Sequence, residues 1–449
     1  MKLTFHGGAK SVTGANYLLE SEGFRILIDC GLQQGGNFSE RHNWESFAYD
    51  PKTINAVLIT HSHIDHIGRL PKLFKEGFRG KIYSTPPTRD LAEILLVDSE
   101  HILEKEAQKF KLPVIYREED VHNLMPHWEG VAYYYPFEIG PFRVTFYNAG
   151  HILGSSFVII ECEGEKIIFS GDLGNSPAPI IGNKDFYDKN PTYCVIESTY
   201  GDRLHESTGM RKDILEDLIE DTVKEGGTLL IPAFAMERTQ ELLYAIDELF
   251  DNLRVPKIPI FLDSPLAIKL VEVYKKYKDY FIKDSSRVME SVDHFLKFPS
   301  LKMTPTTQDS KKINEVPPPK IIIAGSGMSH GGRILHHEVR YLPDPNSTLF
   351  IVGYQAEGSL GRQILDGAKF INLVGEKIPV RAKVKAVGAW SAHADQKQLM
   401  EWLSPMRHSL KKVFVVQGEE SASLVLRSKI TDDLAVSAYV PRQGESINL

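Results

Sequence analysis

The chain has 449 residues, 42% of them hydrophobic and 25% charged, a balance that excludes a disordered tail, a peptide hormone and a disulfide mini-scaffold. Lysine and arginine number 52 against 59 acidic residues, for a net charge of -7. No whole-molecule basic field therefore draws in an anionic polymer, and any contact with nucleic acid has to come from a local groove or a bound metal. The three cysteines, Cys30, Cys162 and Cys194, are odd in number and far apart, which suits neither a disulfide framework nor a cysteine zinc knuckle. The opening residues already alternate like a strand, and no uncharged apolar run approaches 18 residues. A cytoplasmic protein without a membrane span is expected.

Alternation predicts strands at Leu3 to Phe5, Asn16 to Glu20, Phe24 to Ile28 and Ala56 to Ile59, then a helix around Leu91 to Lys109. Strands return at Arg143 to Tyr147, Ser156 to Cys162, Lys166 to Phe169 and Tyr193 to Ile196. After Gly201 the grain changes to helix Arg211 to Lys224, strand Thr228 to Pro232, helix Glu237 to Phe250 and strand Ile258 to Leu262, an alternation that predicts parallel βαβ units. Phe298 to Lys320, with its proline triplet, reads as an exposed loop. Strands follow at Ile321 to Ala324 and Leu349 to Val352. The tail after Val384 reads as strand, Ser-rich turn, helix Gln396 to Leu403, strand Val413 to Val416 and a last helix.

The strongest chemical signal is Thr60-His61-Ser62-His63-Ile64-Asp65-His66, directly after a predicted strand. Three histidines at this spacing are expected by chance roughly 0.02 times in a chain of this composition. Imidazole nitrogens suit zinc, and carboxylates complete or bridge a metal pair. Four such side chains within six residues cannot all face one ion, so two metals sharing the loop are expected, with further ligands at other strand ends. His151, in Asn148-Ala149-Gly150-His151, and Asp172, in Ser170-Gly171-Asp172, hold such positions. Alone, either would read as an ordinary cap or turn residue.

The order Asp29, His61, His63, Asp65, His66, His151, Asp172 resembles the metallo-β-lactamase superfamily. The resemblance implies an α/β fold, a four-layer αββα core with the metals at the sheet edge. His61, His63 and His151 would hold one zinc, Asp65 and His66 the other, Asp172 would bridge them, and Asp29 would fix the histidine loop. Glu197 in Glu197-Ser198-Thr199-Tyr200-Gly201 and His393 in Ser391-Ala392-His393-Ala394-Asp395 narrow the likeness to the β-CASP nucleases, whose α/β cap domain is inserted into that core. Asp263-Ser264-Pro265-Leu266-Ala267 and Gly325-Ser326-Gly327-Met328 resemble segments of that cap. The implied division is 1–203 and 385–449 for the core and 204–384 for the cap.

One position departs. Strand Val413 to Val416 runs into Gln417-Gly418-Glu419 where RNA-processing relatives place a histidine. An amide oxygen ligates more weakly than imidazole, so a looser second zinc is expected. Phosphate contacts are sought at Ser326 and Gly327, with free backbone N–H groups and a helix start near Gly331-Gly332, although a plain tight turn reads equally well there, and at Arg362 and Ser391. Arg362 could equally form an ordinary salt bridge, and Arg238 reads as a solvated residue at a helix start.

The resemblance implies a zinc-dependent ribonuclease that cuts single-stranded RNA endonucleolytically in a cleft between core and cap, with His393, oriented by Glu197, as proton donor and Asp65 and Asp172 positioning the nucleophile. The chain opens directly in a core strand and ends at Leu449, which leaves no room for the RNA-binding modules ahead of some archaeal relatives or for the extra C-terminal domain of RNase J-type enzymes. A homodimer is compatible with the family. The competing readings are a weak or inactive nucleic-acid-binding relative, a DNA-directed or 5′-exonucleolytic member, and a small-molecule hydrolase such as a thioesterase or lactamase. The cap and the His393 segment speak against the last.

Overall fold

The computed structural model describes residues 1–34, 41–206, 208–282, 297–329, 331–353, 355, 358–387 and 390–449. The chain divides into two units. One comprises Met1–Ala178, Gly182–Leu204 and His393–Leu449, and the other comprises Pro179–Ile181 and His205–Ala392.

The discontinuous unit is built on two seven-stranded sheets. The first runs Ser446–Asn448, Lys2–Gly7, Asn16–Ser21, Phe24–Ile28, Ala56–Leu58, Lys81–Ser84, Trp128–Gly130, antiparallel over its first four strands and parallel beyond. The second runs Ala438–Tyr439, Lys412–Val416, Tyr193–Glu197, Glu165–Phe169, Ser156–Cys162, Phe142–Asn148, Phe137–Ile139, with the reverse mixture. Alternate residues of each strand face opposite ways. Phe146, Val158, Ile160, Phe169 and Phe414 meet Leu3, Phe5, Leu19 and Ile26 of the first sheet in one core. Their neighbours Phe157, Ile159, Ile168 and Val415 pack against Leu399, Trp402 and Leu403 of helix Gln396–Leu403 and Leu426 and Ile430 of helix Glu420–Leu434. Because both faces of this sheet are covered, its strands are apolar runs rather than alternating ones. Helix Pro86–Phe110 buries Leu91, Leu96 and Leu103 and packs beside Trp128–Gly130 on the other flank, giving helix, sheet, sheet, helix. Each fully buried aliphatic side chain contributes about 1.5 to 3 kcal/mol by leaving water.

The second unit, continuous but for Pro179–Ile181, is a six-stranded parallel sheet in the order Leu301–Met303, Ile260–Asp263, Lys320–Ala324, Thr228–Pro232, Thr348–Ile351, Lys383–Ala386, joined by helices, with a separate hairpin of Phe370–Leu373 and Glu376–Pro379. Its core includes Leu230, Phe261, Ile322, Ile334 and Leu349. Two expectations fail here. The stretch from Phe298 to Lys320 is not a plain loop: it contains strand Leu301–Met303 and helix Thr307–Lys312, started by the Thr306 hydroxyl accepting from Asp309 N–H at 3.1 Å. Arg238 is not solvated either; it is 4% exposed and ion-paired with Glu241 on the buried side of helix Arg238–Asp251. The opposite charge three residues along offsets the cost of burying a guanidinium. Among the described residues no helix is long and apolar enough to cross a membrane.

Candidate metal centre

The histidine motif turns the corner out of strand Ala56–Leu58. The chain bends at Thr60 and is extended at His63, and Asp65 and His66 lie in the short helix Ile64–Ile67. The change from strand to helix sends the motif's side chains two ways. Asp29, at φ +59° after strand Phe24–Ile28, ties the corner down. Its Oδ1 accepts from Thr60 N–H at 2.8 Å, and its Oδ2 accepts from the Thr60 hydroxyl at 2.8 Å and stands 2.7 Å from His66 Nδ1. A carboxylate on Nδ1 leaves Nε2 of His66 pointing inward.

Two glycines let neighbouring loops close on this corner. A Cβ on Gly31 would lie 1.5 Å from the Asp65 carbonyl oxygen, and one on Gly174 would lie 1.7 Å from that of Gly150. Both are closer than any side chain tolerates. The freed space carries cross-links: Ala15 N–H to the Asp65 carbonyl at 2.9 Å, Gly174 N–H to that of Ala149 at 2.8 Å, and Ala394 N–H to that of Leu173 at 2.7 Å.

The first set of side chains converges on one point. His61 Nε2 lies 3.0 Å from His63 Nδ1, His151 Nε2 lies 3.2 Å from the same nitrogen, and Asp172 Oδ2 lies 3.4 Å from His61 and 3.6 Å from His151. All four ligand atoms lie within 4.8 Å of one another. Burial, with His61 next, pushes the His63 pKa well below the usual range, and burial with His393 does the same for His151, so these rings are neutral near pH 7 and offer lone pairs. Burial alone would raise Asp172, but His66 and His61 hold its carboxyl well below the usual range. Neutral imidazoles and a carboxylate crowded on one buried point fit a divalent cation, which satisfies together lone pairs that protons satisfy only in part.

Around the other oxygen of Asp172 the set is different. Oδ1 lies 3.4 Å from His66 Nε2, and Asp65 Oδ2 lies 3.9 Å from that nitrogen. Gln417, at φ +47° beyond strand Lys412–Val416, points its amide here: Nε2 donates to Asp172 Oδ1 at 2.8 Å and stands 3.0 Å from His66 Nε2, while Oε1 accepts from the Tyr17 hydroxyl at 3.2 Å. Beside the cluster, His393 Nδ1 lies 3.2 Å from Glu197 Oε2 and 3.9 Å from Asp172 Oδ2. The second oxygen of Glu197 accepts from Leu173 N–H at 2.5 Å, so the carboxylate is fixed at both ends. Burial opposes a charge on His393, yet Glu197 and then Asp172 raise its pKa to about 9.

The substrate candidates lie in the continuous unit. Ser326 and Gly327 belong to a tight loop after strand Lys320–Ala324, where Ser326 N–H donates to the Gly331 carbonyl and Gln355 Nε2 donates to that of Gly327 at 2.9 Å. The expected free amide at Ser326 is thus already engaged. Arg362 Nε pairs with Asp366 one helical turn on, at 3.0 Å to each oxygen, and Ser391 is buried. Sequence reasoning passed over Thr60, Tyr17, Lys184 and Gln398. Buried Lys184 donates to the Gly174 carbonyl at 2.8 Å and to Gln398 Oε1 at 2.9 Å, bracing the loop that carries Asp172. Thr60 opens the histidine motif without being a ligand type, and the other three are lone polar residues with no local pattern to mark them.

An αββα sandwich whose strand ends gather histidines and carboxylates defines a metallohydrolase. Residues 18–193 match the metallo-beta-lactamase superfamily domain, 239–364 the Beta-Casp domain, and 377–441 the Zn-dependent metallo-hydrolase RNA specificity domain. The chain is 37% identical over 428 residues to Ribonuclease TTHA0252 of Thermus thermophilus, covering 95% of each chain. It is 33% identical to an RNase J-like protein of Methanocaldococcus jannaschii, covering 98% of each, and 30% identical to the transcription termination factor FttA of Methanosarcina mazei, covering all of this chain and 72% of that one. A crystal structure of an Enterococcus faecalis protein of unknown function shares the fold, with a TM-score of 0.58 at 13% identity over 100% of this chain and 99% of that one. The chain belongs to the β-CASP ribonucleases of the metallo-β-lactamase superfamily, metal-dependent hydrolases that act as nucleases.

Proposed function

We propose that this chain hydrolyses phosphodiester bonds of single-stranded RNA, cutting within the strand and using zinc. The observation that carries the reading is the convergence of His61, His63, His151 and Asp172 on one buried point with the His393–Glu197 pair alongside. Three imidazoles and one carboxylate suit zinc among the common divalent cations. A cation held there supplies Lewis acidity, polarising a phosphoryl oxygen and lowering the pKa of water. Asp65 and His66, with the far oxygen of Asp172, frame a second cation position.

The chain's own groups do the rest. Asp172, ion-paired and unprotonated, orients an attacking water and accepts its hydrogen bond, with Asp65 at the other side of the same carboxylate. His393 carries its proton at neutral pH because Glu197 and Asp172 stabilise the imidazolium, and with Nδ1 held by Glu197 it delivers the Nε2 proton to the leaving 3′ oxygen. Glu197 itself keeps the ring aimed. The internal mode of cutting rests on the likeness of Gly325-Ser326-Gly327-Met328 to the 3′-end-processing endonucleases, and the free, buried cysteines suit a reducing cytoplasm.

End-labelled single-stranded RNA and DNA, incubated with and without chelator and mapped for product ends, test the reading. Internal RNA products that vanish with chelator and return with zinc are expected. RNA left intact by the zinc-loaded protein, or DNA cut in its place, overturns it.

A further inference from the structure

Gln417 sits where its amide touches two of the three groups that frame the second cation position, Asp172 and His66. Its nitrogen is 2.8 Å from Asp172 Oδ1 and 3.0 Å from His66 Nε2, spacings of the kind the three histidines keep among themselves. The side chain is buried, and its backbone is held by Gln417 N–H donating to the Gly8 carbonyl at 2.7 Å and by Ser198 N–H donating to the Gln417 carbonyl at 3.2 Å. The backbone is thus fixed, and the amide is held between Asp172 and His66 on one side and Tyr17 on the other. Behind it, the Tyr17 hydroxyl stands at 3.2 Å, a group that can donate to the amide oxygen or accept from the amide nitrogen. Half a turn of the amide exchanges nitrogen for oxygen facing Asp172 and His66 and costs no hydrogen bond at the Tyr17 end.

We propose that this turn makes the second position an optional, oxygen-dominated cation site, formed by Asp65, His66, Asp172 and the Gln417 amide oxygen, that takes a manganese-class cation loosely while the three-histidine site keeps one ion tightly. With the nitrogen inward, the amide hydrogen bonded to Asp172 competes with a cation for the same oxygen. With the oxygen inward, the donors are one imidazole and three oxygens, a set suited to harder divalent cations and less to zinc. At the three-histidine point the donors are three rings and a carboxylate already converged. The inference rests on the metallohydrolase reading above, but concerns only which ions the chain keeps.

The test counts ions rather than turnover. Wild-type protein loaded with zinc and dialysed against metal-free buffer should retain one ion per chain. Titrated afterwards with manganese(II) chloride and followed by electron paramagnetic resonance of the free ion, it should bind one more, at least about tenfold more weakly. Gln417→His should retain two zinc ions after the same dialysis, and Asp65→Asn should keep the first ion and lose the added manganese. Circular dichroism confirms that each variant is folded. Wild type that retains two ions, or shows no manganese binding beyond the first ion, overturns the proposal even if RNA is cleaved. A chain that retains none at all overturns the reading beneath it instead.

Discussion

Asp29 touches no candidate ligand atom with an inward lone pair, yet it sets the direction of one: its carboxylate holds Thr60 twice and His66 once. Asp29→Asn keeps the size and tolerates the positive φ, but weakens the grip on Nδ1. Metal affinity, measured by competition with a chromogenic chelator, should fall by about 10- to 100-fold with the fold intact. His393 answers to a different readout. His393→Ala should leave the retained metal unchanged while RNA cleavage drops by roughly 10²- to 10⁴-fold, the usual scale for a proton donor; a variant that cuts at the wild-type rate removes His393 from the chemistry. These two residues also mark what was legible at this scale. The histidine motif announces itself because its residue types and spacing are rare together, and His151, Asp172, Glu197 and His393 became readable only in its company. Tyr17 and Lys184 did not, since a single phenol or amine in a strand or loop has no periodicity, and Gln417 and Gln398, the side chains they meet, lie hundreds of residues away.

At the scale of elements, alternation and helical spacing placed most strands and helices because burial follows the same periods. Short pieces escaped. Strand Lys81–Ser84 has two exposed or half-exposed positions and too few residues to show a period, and helix Thr307–Lys312 buries no residue at all, so its only signal is the Thr306 to Asp309 cap. Arg238 misled because composition does not reveal that Glu241 closes over it. One element carries a titration. In helix Ile334–Tyr341, Glu338 is fully buried against Ser329, and burial pushes its carboxyl up to about 7. The folded chain therefore holds a proton that the unfolded chain releases near pH 4.5. The stabilising contribution is complete below the unfolded value and is lost as pH rises through about 7. Thermal melts between pH 5 and 8 should show wild type losing stability relative to Glu338→Gln, and parallel curves would remove Glu338 from the effect.

On the scale of the molecule, a parallel sheet with its own core spans a single continuous stretch, whereas the two sheets that carry the metal centre draw on three. A fragment of residues 205–392 should fold alone and melt in one cooperative step by circular dichroism; a featureless spectrum would show that its core depends on the rest of the chain. The asymmetry was legible as a change of grain after Gly201. The pairing of the two chain ends was not, since Lys2–Gly7 gives no sign that its neighbour is Ser446–Asn448.

That long-range pairing has a consequence in time. Lys412–Val416 lies between Ala438–Tyr439 and Tyr193–Glu197, and His393 and Gln417 reach the centre only from beyond the inserted unit. During synthesis the histidine loop leaves the ribosome hundreds of residues before the parts that complete it. A centre whose side chains are divided in this way assembles only after the inserted stretch has been made.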